Sequence, residues 1–146
     1  MYKILHIEAS ETIRMLLADV FNSFYFDVEL VSFENWAVAK KHSILGANFD
    51  LIILDEFSPE EKCAAVHEEI CRAFPQLMNS ILITTTHEKA TNFDHKFIKK
   101  PFNLEYLLTV INGYKSGYKI PLVHFKEYMT ETKIKAQYDY CAGNLK

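Results

Sequence analysis

Cysteine is scarce, and its spacing suits neither a disulfide framework nor a zinc site: Cys63, Cys71 and Cys141 are odd in number and form no CxxC pair. A reducing cytosol suits such a chain, and Cys63 and Cys71, inside one expected helix, read as small core or boundary hydrophobes. Long apolar runs are missing too. No stretch approaches the roughly 18 apolar residues of a membrane span, and the opening Met1-Tyr2-Lys3-Ile4-Leu5-His6-Ile7 has no signal-type apolar region. A soluble, cytoplasmic protein without membrane partners is expected. Basic charge is not in excess: 16 Lys and Arg stand against 19 Asp and Glu, for a net charge of −3. That leaves no footprint for nucleic acid, and Lys96, Lys99 and Lys100 read as surface charge plus one site residue. No GxSxG nucleophile elbow and no HExxH metal motif occur, and His42, His67, His95 and His124 lack ligand spacing. No repeat or low-complexity tract is visible, and 146 residues suit one domain with a real core.

What is present is an alternation of strand and helix signals. Residues 3–7 read as a first strand, and Ile13, Leu16, Leu17, Val20, Phe21 and Phe24 recur at helical spacing. A second strand is expected over 28–32, then a helix over 36–45 ending near Gly46. Residues 51–54 form a third strand. Val66, Ile70, Ala73 and Phe74 mark a helix from about Pro59, stopped by Pro75. Residues 80–84 and 97–99 are the fourth and fifth strands, and Asn103 caps a last helix through Leu104, Leu107, Leu108 and Ile111. Such an order implies right-handed βαβ units, hence a doubly wound α/β fold with a parallel sheet covered on both faces.

The segment Leu51-Ile52-Ile53-Leu54-Asp55 is the most telling. Its unbroken aliphatics indicate a strand buried on both faces, and Asp55 falls at its carboxyl end, where sites form in such sheets. The next helix has its own cap in Ser58, with Pro59 at N1 and Glu61 closing a capping box, so Asp55 is left for chemistry. Glu8, Thr85 and Lys100 follow the first, fourth and fifth strands and converge on the same edge. His6, inside the first strand, reads as a core histidine with a hydrogen-bond partner.

This order of strand-end residues, with Lys100-Pro101-Phe102, resembles the receiver domain of two-component response regulators. That is the CheY-like, flavodoxin-like fold with five parallel strands. The likeness spans residues 1–112, leaving 113–146 as an extension: an added helix after Pro121, a partner-binding arm, or a linker to a further domain. The resemblance implies that Asp55 is the phosphoryl acceptor, that Thr85 contacts the acyl phosphate and serves as a switch with Phe97, and that Lys100 pairs with the phosphoryl group. It implies a Mg²⁺ ion held by Glu8, Asp55 and the main-chain carbonyl of Phe57. It further implies a sensor histidine kinase or phosphotransfer protein as donor, a downstream protein as target, and a homodimer as an open alternative to a monomer.

Two departures stand out. Ala9 occupies the second position of the usual acidic pair, the one that ligates the ion directly, and Glu56 is expected to point away from Asp55. The stretch 86–99 is short, so residues 88–93 can supply only one or two turns of a fourth helix, and the tyrosine-rich tail is a candidate cover for that gap. Phe57 and His87 sit where the family tunes hydrolysis of the acyl phosphate, the first by obstructing water, the second by touching phosphate or facing solvent. A divergent pseudo-receiver, binding partners without phosphorylation, is therefore the alternative reading. An enzyme is not expected: a flavin-binding relative needs donors after the first strand, where Glu8 and Glu11 place acids.

Overall fold

The protein's structure, a computed structural model, describes residues 1–42, 44–58, 61–85, 96–100 and 103–116. In chain order the elements are β1 (Tyr2–Ile7), α1 (Glu11–Phe24), β2 (Val28–Phe33), α2 (Trp36–Lys41), β3 (Leu51–Asp55), β4 (Phe57–Ser58), β5 (Glu61–Lys62), α3 (Cys63–Ala73), a 3₁₀ turn (Pro75–Leu77), β6 (Ile81–Thr85), β7 (Lys96–Lys99) and α4 (Leu104–Lys115). The main sheet has the order β2-β1-β3-β6-β7, and every pairing in it is parallel. The expected doubly wound, flavodoxin-like fold is present. No described helix is long and apolar enough to cross a membrane.

Burial follows from the pleat. Every residue of β3 is buried, but alternate side chains serve different layers. Leu51 and Ile53 join Ile4, Leu82, Ile98 and the inner faces of α1 and α4, through Leu17, Phe21, Leu107 and Ile111. Ile52 and Leu54 join Leu5, Ile7, Ile83, the inner faces of α2 and α3, through Trp36 and Ile70, and Phe74 just beyond α3. Ser10 caps α1, Asn35 caps α2 and Asn103 caps α4, each side chain accepting a backbone N–H of the first turn.

Two expectations about helix ends are corrected. Ser58 does not cap a helix from Pro59: it pairs with Glu61 in the antiparallel β4–β5 ribbon, and α3 begins at Cys63. The pairing of Ser58 with Glu61 takes both residues of the expected capping box out of a helix start. The second helix stops at Lys41 rather than near Gly46, and the chain leaves the helical path so that Ile44 and Phe49 reach the core. Pro59, residues 86–95, on which the expectations for a shortened fourth helix and for His87 fall, Pro101, Phe102 and the tail beyond Ser116 lie outside the described residues.

Candidate functional site

In the order β2-β1-β3-β6-β7 the chain reverses direction of growth between β1 and β3, and the crevice beyond the carboxyl ends there is the usual ligand position of open α/β sheets. Glu8 leaves β1 and Asp55 ends β3 at that point. Lys100 enters from β7, its backbone N–H donating to the Thr85 carbonyl. Lys100 Nζ pairs with Glu8 Oε2 and, at 2.9 Å, with Asp55 Oδ1. The three side chains are only 11 %, 2 % and 6 % exposed, so the ammonium bridges two carboxylates largely withdrawn from water.

Each partner is fixed by local structure. Glu8 Oε1 accepts the Ser10 N–H at 2.9 Å, just ahead of α1. Arg14, one turn into α1, donates to the main-chain carbonyls of Glu8 at 2.6 Å and Ala9 at 2.9 Å. Burial pushes the Glu8 carboxyl above its usual range and the negative Asp55 adds to the rise, against the opposing pull of Lys100. Beneath the cluster, His6 Nδ1 lies 3.1 Å from Ser32 Oγ, whereas Nε2 has no partner among the described residues. Burial, then the positive Lys100 and Arg14, hold the His6 imidazole down to about 3, so it is neutral. The core-histidine expectation holds for one ring nitrogen.

Thr85 is fully buried at the end of β6, and its hydroxyl donates to Glu56 Oε2. Register explains this. Asp55 pairs with Thr84, so Glu56 and Thr85 each lie one residue further along, on the other pleat face. Glu56 thus turns from Asp55, as expected, yet it is not idle: it engages the candidate switch residue. That contact was missed in the sequence because it needs the β3–β6 register; alternation along the two strands was its only signal. Phe97 takes its place in β7 opposite Ile83 and Phe57 opens β4; their side chains lie outside what is described.

Glu8 and Asp55 converge closely enough on one point to share a cation, while Ala9 contributes no oxygen. Among the described residues no group of three His, Cys, Asp or Glu side chains is placed to hold a metal. The donor set therefore suits only an ion that keeps much of its water, as Mg²⁺ does.

No protein-family model and no curated protein matches the sequence. Solved structures do match. The response regulator TrrA of Thermotoga maritima, in complex with Mg²⁺-BeF, is 23% identical with a TM-score of 0.63, over 78% of this chain and 99% of that one. The chemotaxis protein CheY4 of Vibrio cholerae is 24% identical with a TM-score of 0.59, over 77% and 97% of the two chains. A two-component response regulator of Clostridium difficile is 17% identical with a TM-score of 0.64, over 80% and 97%. The chain has the fold of response-regulator receiver domains.

Proposed function

We propose that this chain is a two-component receiver that accepts a phosphoryl group on Asp55 from a histidine kinase or phosphotransfer protein and signals by protein contact. The observation that carries the reading is the largely buried Lys100 ammonium bridging Asp55 and Glu8 at the switch point of a receiver fold. An Asp55 carboxylate oxygen attacks phosphorus, and the P–N bond to the donor imidazole breaks, its electron pair returning to the ring nitrogen. The product is an aspartyl phosphate. Lys100 neutralises charge on the phosphoryl oxygens, and positioning supplies most of the rest. A Mg²⁺ ion, held by Glu8, Asp55 and the Phe57 main-chain carbonyl, supplies further positive charge when bound. Thr85 reaches the phosphoryl group only by giving up Glu56, so phosphorylation biases an equilibrium between two Thr85 positions.

One observation favours the alternative, a pseudo-receiver that works unphosphorylated. Ala9 removes a carboxylate, and Lys100 already compensates part of the charge that remains. Intact mass after incubation with phosphoramidate or acetyl phosphate, with and without Mg²⁺, separates the two. A gain of one phosphoryl group that needs Mg²⁺ and is lost in Asp55→Asn is expected. No gain from a folded protein under any condition sinks the phosphoacceptor role and leaves the pseudo-receiver.

A further inference from the structure

The end of the sheet opposite the acid site carries a second feature. Met1, Phe24 and Phe26 are 81%, 65% and 98% exposed, far more than apolar side chains of this size gain from in water. They are neighbours by backbone geometry. Phe24 ends α1, Phe26 lies two residues on, and the Tyr2 N–H donates to the Asp27 carbonyl at 2.8 Å, which sets Met1 beside that turn. Half-buried Tyr2, Tyr25 and Tyr114 extend the same edge, packed on the α1–α4 layer. The result is an aromatic fringe at the amino ends of the strands, open outward and remote from Asp55.

Helix α4 delivers the chain to this fringe. Lys115 Nζ contacts both Asp27 carboxylate oxygens, at 2.7 and 2.8 Å, and stands 5.0 Å from the centre of the Tyr25 ring. Tyr25 OH donates to Asn112 Oδ1 at 2.8 Å. The described chain ends one residue after Lys115, and the sequence beyond it soon turns apolar: Ile120 and Leu122 come within six residues of Ser116, a reach of about 20 Å. Leu122, Phe125 and Met129 then fall at i, i+3 and i+7, the spacing of one helix face. Residues 117–146 also hold five lysines against three acids in a chain of net charge −3, so the remainder of the protein is acidic and attracts them.

We propose that residues 117–146 fold back over this fringe, with the Ile120–Met129 side chains covering Phe24, Phe26 and Met1. A segment tethered beside the fringe meets it at an effective concentration in the millimolar range. A second copy of the protein reaches that level only at comparable total concentration, so the tether decides between the two occupants. The docked segment closes the α1–α4 layer at the end away from the phosphoryl site.

Hydrogen–deuterium exchange on the full chain tests this. Peptides from 117–130 are expected to exchange at least about tenfold more slowly than free chain. Phe24→Ser/Phe26→Ser should abolish that protection and leave the sheet's intact. Phe26→Ser alone, at a side chain in open solvent, guards against loss of fold and should weaken it. The reciprocal pair Leu122→Ser/Phe125→Ser should speed exchange in the 22–28 peptide. Free-chain exchange of 117–130 in the wild type overturns the proposal, as does protection that survives the fringe substitutions. A dimer by light scattering that Phe26→Ser dissociates, with an unprotected tail, assigns the fringe to a second copy; Phe26-dependent binding to anionic vesicles with an unprotected tail assigns it to a lipid surface.

Discussion

Lys100 is the residue on which the site most depends, because it supplies the counter-charge for both buried carboxylates. Lys100→Met keeps the side-chain length and leaves Glu8 and Asp55 facing each other uncompensated, a loss of about 3–5 kcal/mol in urea denaturation. Adding Asp55→Asn to that variant should recover part of the loss by removing one of the two charges. Recovery of nothing would mean that the ammonium does not hold both. Tyrosines give a second residue-scale expectation. Burial pushes Tyr2 and Tyr114 up to about 12 and Tyr106 higher still. From about pH 10 upward the unfolded chain releases tyrosine protons that the folded chain retains, so the folded state binds more protons and stability falls with rising pH through this window. Urea midpoints should therefore drop between about pH 9 and about pH 11, and Tyr114→Phe should drop less. At this scale Glu8, Asp55 and Lys100 were legible because each follows an expected strand, Asp55 after the unbroken aliphatics 51–54 and Lys100 ahead of Pro101-Phe102. The Glu56–Thr85 bond was not, because residues 29 apart meet only through register.

The elements owe their ends to capping and to competition from the core. Asn103 is fully buried and its Oδ1 accepts the Tyr106 N–H at 2.9 Å, starting α4. Asn103→Ala should cost about 1–2 kcal/mol in thermal or urea unfolding; no change would show that Lys100 and β7, not the cap, place this helix. The Asn103 start was readable because one polar residue precedes a clean apolar period. The α3 start was not, because the pairing of Ser58 with Glu61 that displaces the helix start to Cys63 is a contact between strands, not a local signal. The early end of α2 was hidden as well: the pattern after Lys41 continues helically, but Ile44 and Phe49 gain more by entering the core.

Across the whole molecule, two apolar layers share one sheet, and every strand residue from Leu51 to Leu54 belongs to one layer or the other. The single tryptophan, Trp36, lies in the α2–α3 layer, whereas Leu107 is buried in the α1–α4 layer. Leu107→Ala removes about 2–5 kcal/mol, and if the layers unfold together Trp36 fluorescence and far-ultraviolet circular dichroism should shift by the same amount. An unmoved fluorescence transition would show the layers melting separately. The order of strands and helices, the burial of β3 on both faces and the delivery of acids to strand ends were determined by the sequence alone, since each depends on periodicity over a few neighbouring residues. Tertiary structure decided the rest. Strand register, a property of both packed layers at once, brought Glu8 and Asp55 to the Lys100 ammonium and set Thr85 on Glu56, and the packing of α1 left Phe24 and Phe26 open at the far end, because which distant residues meet depends on how whole elements pack.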